Sequence, residues 1–314
     1  MQSAQIYDNT VDPSQPNNAH SFAVDMVGSN KRVLEVGCAA GHVTRILTSR
    51  GCEVTGIEVD PNAARAAEEH AREVLVADLD VDDYMAKLDD QIFDVVLLGD
   101  VLEHLRDPLS AMRSFAKLVE PHGYIVASLP NVAHVDVRLA LFQGRFQYGD
   151  WGLLDRTHLH FFTRATGEQL LRDAGLLPVE VRRVFIPAFA TEIPVDRDAV
   201  EAHVLDEVLR DPEAETYQFV WRAVPDNGVA VTRELAVRCQ ELDGEFQAVR
   251  IRIGLAEAAA SATTERNAEL EWYCETLETE VRALRDEIAA INSTKIMRHT
   301  RRLREVYRDR VLRD

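Results

Sequence analysis

Cysteine is scarce, with Cys38, Cys52, Cys239 and Cys274 the only four in 314 residues and no C-x-x-C pair among them. That excludes a disulfide framework and leaves no zinc-ligand spacing, so the four read as reduced thiols. Long uncharged apolar runs are missing too, and a membrane-spanning helix needs about 20 such residues. The first residues, MQSAQIYDNTVDPSQ, lack the basic-then-apolar order of a secretion signal, and the expected location is the cytoplasm. Positive charge is short: 35 Lys and Arg stand against 53 Asp and Glu, a net charge of −18. A protein that works by neutralising phosphates would carry the opposite balance, so no nucleic-acid partner is expected. Disorder is excluded as well, because 46% hydrophobic residues are enough to bury a core.

From Lys31 to Val224 short β-branched runs alternate with helical stretches, the sequence form of a mostly parallel sheet covered by helices. Strands are expected at 32–36, 53–59, 73–77, 93–98, 124–129, 179–186 and 217–224, a doubly wound α/β sheet of seven strands. Helices are expected at 42–50, at 61–71 with Pro61 in its first turn, and at 108–120. The segment before Lys31 is expected to form a helix over the site. Residues 130–164 carry Gly144, Gly149, Gly152, several aromatics and many ionisable groups, more than a connection needs, and read as a substrate lid. A second insertion, 194–211, reads as helical.

After residue 228 the composition changes. Cys239, Phe246, Ile253, Ala260, Asn267, Cys274, Val281 and Ile288 form one row, and Leu235, Leu242, Val249, Ala256, Thr263, Leu270, Leu277, Leu284 and Ile291 the other. This unbroken heptad register over 229–292 predicts a C-terminal coiled-coil helix and a parallel homodimer, the competing reading being a solvated helix folded back on its own domain. The last segment, 293–314, holds eight Lys and Arg against three Asp and Glu, +5, which leaves −23 for the remainder. Ile296, Leu303, Tyr307 and Val311 share one face of this basic tail, suited to an acidic partner or the inner membrane surface. A solvated basic helix end is the plainer alternative.

The chemistry gathers at LEVGCAAGH, 34–42, where a strand runs into a Gly-containing turn and then a helix, exposing backbone N–H groups to an anionic or zwitterionic ligand. A dinucleotide fingerprint wants a third glycine where His42 stands. The segment instead resembles motif I of the class I S-adenosylmethionine-dependent methyltransferases, matched by Glu35, Gly37, Ala39 and Gly41, with Ala39 in place of the middle glycine. Further positions match in order: Glu58 at the end of the second strand, where the family binds the ribose hydroxyls; Asp78 and Leu79 after the third, where it holds the adenine; and Leu98, Gly99 and Asp100 after the fourth, leading into VLEHL. The resemblance covers about Ala19 to Val224. It implies a Rossmann-like methyltransferase domain over 1–228, with S-adenosylmethionine as cofactor.

Asp100, Glu103 and His104 are spaced to share one face of a helix starting at the fourth strand's carboxyl end. With His158 and His160 of DRTHLHFFTR (155–164) they resemble the E-x-x-E-H plus His arrangement of small-RNA 3′-end and ubiquinone-pathway O-methyltransferases, Asp100 standing where that pattern has Glu. The resemblance implies a Mg²⁺ or Mn²⁺ on Glu103, His104 and His158, lowering the pKa of an acceptor hydroxyl. Two other readings stay open: His104 or His158 as a metal-free general base, and Asp100 as a helix cap with Glu103 reaching back to it.

The lid resembles that of bacterial methyltransferases that accompany glycosyltransferases in glycan and antibiotic-sugar assembly. Phe142, Phe146, Tyr148 and Trp151 offer stacking faces, and His134, Asp136, Arg138, Arg145 and Asp150 offer hydrogen bonds. The expectation is methyl transfer to a hydroxyl of a sugar or glycoconjugate, in polysaccharide biosynthesis beside a glycosyltransferase. Kept beside it are transfer to another small acceptor (an aromatic or polyketide hydroxyl, or an amine), a coiled-coil assembly subunit of a glycan-synthesis complex, and an RNA 2′-O-methyltransferase, which the acidic catalytic portion disfavours.

Overall fold

In the computed structural model, residues 17–88, 91–226 and 264–293 are described, with isolated helical positions from 244 to 252. The basic tail beyond Ser293 lies outside the described residues, as do Cys239 and most of the heptad positions before Thr264. The chain divides into two compact units, Met1–Asn227 and Gly228–Asp314.

The first unit is a seven-stranded sheet: β1 (Arg32–Val36), β2 (Glu53–Glu58), β3 (Glu73–Val76), β4 (Phe93–Leu98), β5 (Val119–Pro130), β6 (Leu176–Phe185) and β7 (Thr216–Pro225). The spatial order is β3-β2-β1-β4-β5-β7-β6, parallel except for β7, which runs antiparallel to both β5 and β6. This is the Rossmann-like arrangement the motifs implied. The order reverses between β1 and β4, which opens a crevice at the carboxyl ends of the strands.

Successive side chains of each central strand feed different cores. Leu34, Val36, Val96, Leu98, Ile125 and Ala127 join one, with Phe115 of α5 (Pro108–Ala116) and Leu171 of α7 (Arg164–Asp173). Val33, Val95, Leu97, Tyr124 and Val126 join the other, with Phe22, Val24 and Val27 of α1 (Ala19–Val27) and Leu47 of α2 (His42–Ser49). Each fully buried Leu, Val or Phe contributes about 2 kcal/mol by leaving water. The apolar face of α1 is spent on this second core, so α1 covers a sheet face; residues 1–16 of the segment expected over the site lie outside the described residues. The remaining helices are α3 (Pro61–Ala67), α4 (Tyr84–Lys87), α6 (Val135–Phe142) in the lid, and α8 (Ala202–Leu209) in the second insertion. Val204, Leu205, Val208 and Leu209 of α8 pack against Val135 and Leu139 of α6, so the insertion backs the lid.

In the second unit a helix is described, α9 (Thr264–Ser293); most of the rest of the coil expected over 229–292 lies outside the described residues. Leu277 and Val281 are buried against Phe246, Val249 and Leu284 of the same chain. On one unbroken helix Phe246 and Val281 would stand roughly 50 Å apart, at a rise of about 1.5 Å per residue. Heptad positions read as a seam between two chains therefore meet within one chain at Phe246, Val249, Leu277, Val281 and Leu284.

Candidate active site

Motif I forms the turn after β1. Gly37, Ala39 and Gly41 all have positive φ, 71°, 46° and 81°. The N–H groups of Gly37 and Cys38 donate to the Ile57 carbonyl at 2.8 and 3.1 Å, fastening the turn to β2. A Cβ on Gly41 would lie 2.8 Å from the Ala67 Cα, and one on Gly37 2.6 Å from Val101 Cγ2, so both glycines are fixed by space as well as by φ. Ala39 holds a backbone that glycine adopts freely, at a cost on the order of 1 kcal/mol. Gly41 caps α2 without a side-chain hydrogen bond, leaving the first N–H groups of that helix uncapped by any side chain.

The acidic positions divide by burial. Glu35 lies beneath the turn, 4% exposed, and accepts from Thr44 Oγ1 at 2.7 Å; burial pushes its carboxyl up to about 7 against that bond. It braces α2 from below. Glu58 faces the turn: Oε2 accepts from the Ala39 N–H and Oε1 from the Asp60 N–H, both at 2.9 Å. The cap of α3 is Asp60, which frees Glu58 from that duty. Asp78 is exposed after β3 and accepts from the Asp80 N–H at 2.9 Å, with Leu79 half-buried beside it.

Gly99 and Asp100 follow β4, and here the expected shared helix face does not form. Asp100 is left-handed, φ 55°, and a short 3₁₀ turn covers only Leu102–His104. No capping box forms either: the residue before the turn is Val101, and the Asp100 carboxylate instead accepts from Ser128 Oγ at 2.6 Å and from Gln218 Nε2. Glu103 is buried in that turn and His104 half-buried. The lid meets them through its backbone, because the N–H groups of Leu159 and His160 donate to the Glu103 carbonyl at 2.8 and 3.1 Å.

That docking brings His158 to Glu103 and His104, whose potential ligand atoms all lie within 4.8 Å of one another. The two imidazoles meet edge to face, with centroids 4.8 Å apart. His104 Nδ1 lies 3.2 Å from the Thr157 carbonyl and 3.1 Å from Thr157 Oγ1, which itself donates to Asp155 Oδ1 at 2.7 Å. A carbonyl only accepts, so the His104 proton sits on Nδ1 and Nε2 carries the lone pair. Glu103 is 1% exposed, and its Oε2, like Nδ1 of His158, is buried without a hydrogen-bond partner. Burial and then the Asp100 charge hold the Glu103 carboxyl well above the carboxylate range. Burial and then His104 hold His158 below the usual imidazole value. His160 is outside the group, its Nε2 placed 3.2 Å from the Arg106 carbonyl.

From His158 a run of rings leads outward. Phe161 lies 6.2 Å from His158, 6.1 Å from Phe146 and 6.4 Å from Tyr148 between centroids. Phe146 and Tyr148 are 42% and 54% exposed, and Phe142 and Trp151 more so. The hydrogen-bonding residues expected for an acceptor are mostly engaged elsewhere. His134 and Asp136 are fully buried, His134 against the Ile186 carbonyl and Asp136 accepting from Phe189 N at 2.6 Å, Thr191 Oγ1 at 2.6 Å and Thr191 N at 3.2 Å. Arg138 pairs with Asp211, and Asp150 with Arg156. Sequence reading gave no role to Ser128 and Gln218, which reach Asp100 from β5 and β7, nor to Asp155 and Thr157, which lie inside DRTHLHFFTR and meet His104 through Thr157.

The family described as "Methyltransferase domain" matches residues 17–181. The ubiquinone biosynthesis O-methyltransferase of Alkalilimnicola ehrlichii is 37% identical over 105 residues, 32% of this chain and 42% of that protein. Its counterpart in Ralstonia nicotianae is 36% identical over 158 residues, 49% of this chain and 66% of that one. The chain thus matches less than two thirds of the length of either relative. Among solved structures, a SAM-dependent methyltransferase from Archaeoglobus fulgidus has a TM-score of 0.48 at 17% identity, covering 65% of this chain and 90% of that one. The relatives' names overturn the expected sugar or glycoconjugate acceptor, and polysaccharide biosynthesis with it. The engaged polar groups of the lid give the physical reason: they brace the lid where a sugar would have needed them.

Proposed function

The chain belongs to the class I S-adenosylmethionine-dependent methyltransferases of the methyltransferase-domain family, and on that premise we propose that it methylates a phenolic hydroxyl on a quinone-type ring. The observation that carries this reading is the convergence of Glu103, His104 and His158 beside the run of rings that starts at Phe161. A hydroxyl is what such a group serves, and a flat apolar ring is what exposed aromatic edges hold.

On the donor side, the N–H groups of the 37–41 turn and of α2 would face the methionine end, Glu58 the ribose hydroxyls, and Asp78 with Leu79 the adenine. The sulfonium methyl is already activated and its charge is consumed on transfer, so holding the acceptor in line and drying the site does most of the work. His158, kept neutral by burial, is able to take the hydroxyl proton, and the lone pair on His104 Nε2 is able to orient the same hydroxyl. Glu103 Oε2 and His158 Nδ1, buried without partners, fit a divalent cation completing their bonding. In place of those base and orienting roles, a Mg²⁺ or Mn²⁺ held by Glu103, His104 and His158 would take the imidazole lone pairs and lower the acceptor hydroxyl's pKa.

The test uses the full chain and S-adenosylmethionine with a labelled methyl, offered catechols, aliphatic alcohols and amines in parallel. Label on a phenolic oxygen is expected; label confined to amines or alcohols would sink the reading. Chelation should remove most activity and added Mg²⁺ or Mn²⁺ restore it. Unchanged turnover after chelation would leave the imidazoles as the whole of the proton-handling machinery.

A further inference from the structure

We propose that Ser128 and Gln218 are positioning residues that hold Asp100 in its left-handed turn and so aim Glu103 and His104 at the acceptor; this rests on the use of Glu103 and His104 in the proposed transfer. Asp100 is an L-residue with φ 55° at the carboxyl end of a strand, a conformation that persists only where surroundings enforce it. Here the enforcement comes from two strands. The hydroxyl of Ser128, on β5, accepts from the Asp100 N–H at 3.0 Å and donates to Asp100 Oδ1 at 2.6 Å, closing a ring around the residue. The amide of Gln218, on β7, donates to the same Oδ1. Ser128 is 3% exposed, so its bonds have no water to compete with.

The consequence falls on the next four residues. After the reversal at Asp100, Val101 packs toward the Gly37 turn, and the 3₁₀ turn Leu102–His104 closes through the His104 N–H to the Val101 carbonyl at 3.0 Å. The far end is held as well, since the Arg106 N–H donates to the Asp80 carboxylate at 3.0 Å. An extended backbone at Asp100 would carry Glu103 out of its buried place and His104 away from His158. Neither Ser128 nor Gln218 belongs to the Glu103, His104 and His158 group, and their effect reaches it through Asp100 alone.

The experiment is a set of substitutions in the full chain. Ser128→Ala and Gln218→Ala are each expected to lower kcat at saturating acceptor about tenfold or more, while the dissociation constant of S-adenosylhomocysteine, read by calorimetry, stays within about twofold. Glycine needs no enforcement at φ 55°, so Asp100→Gly should retain more turnover than Asp100→Ala. In the Asp100→Gly background, adding Gln218→Ala should change kcat less than about twofold. Equal loss in Asp100→Gly and Asp100→Ala, or undiminished effects of Gln218→Ala on the glycine background, would overturn the proposal. So would loss of homocysteine-analogue binding in step with kcat. Amide exchange of His104 reads the turn with no acceptor present and should quicken about tenfold in Ser128→Ala. If the wild-type chain methylates no phenol, the acceptor reading fails on its own, and unchanged exchange at His104 is what fails this one.

Discussion

Of the two regions proposed above for donor and acceptor, the 37–41 turn presents backbone N–H groups and the Glu103, His104 and His158 group presents side chains. The 37–41 turn is built from consecutive residues, with its left-handed positions and close approaches set by glycine spacing. The Glu103, His104 and His158 group is assembled from segments far apart in sequence and depends on the lid's two hydrogen bonds to the Glu103 carbonyl. Damage should therefore differ in kind: local geometry on one side, proton handling on the other.

The largest expected effect separates the two sides most cleanly. His104→Ala and His158→Ala should each lower kcat by about 10²- to 10⁴-fold, the range for removing a group that handles the proton. S-adenosylhomocysteine binding, measured by calorimetry, should be nearly unchanged. Wild-type turnover in both at saturating acceptor would show that the acceptor side works without its imidazoles. Next comes Gly41→Ala, which puts a Cβ against the Ala67 backbone at positive φ and should cost about 2–4 kcal/mol in chemical denaturation, with donor affinity lost as well.

Glu35→Gln probes the floor beneath the donor turn through pH. Its folded pKa, about 7, stands above the ordinary 4.5, so the proton favours the folded state. The stability this contributes is complete below pH 4.5 and is lost as pH rises through 7, a loss on the order of 3 kcal/mol. The variant lacks that loss, so its Tm should gain on wild type between pH 4.5 and 7 and hold the gain above. Parallel Tm curves would mean that Glu35 is not strained by burial. The smallest effect is Ala39→Gly, expected to stabilise by no more than about 1 kcal/mol with donor affinity kept.

The same contrast explains what the sequence made legible. β-branched runs located all seven strands, and β1 and β4 match to the residue because their caps and turns are local. β5 begins earlier than expected, at Val119, because Gly123 lets it pass the Asp94 carbonyl where a Cβ would sit 2.5 Å away, a tertiary contact without a local signature. Ala39 shows why a motif tolerates departure: its φ of 46° is strained and still permitted. Glu103, His104 and His158 were reached through resemblance, whereas the left-handed turn at Asp100 had no sequence signal, since aspartate is ordinary at caps. The heptads left their partner open for a physical reason: apolar residues at a and d are satisfied equally by another chain and by a neighbouring segment of the same one.

Asp136, buried in α6 with three hydrogen bonds from the 189–191 loop, ties the lid helix to a segment more than 50 residues further along the chain. A hinge that had to release a buried carboxylate in every cycle would charge each catalytic event for its desolvation. With that anchor set, α6 and the 189–191 loop are expected to move as one piece.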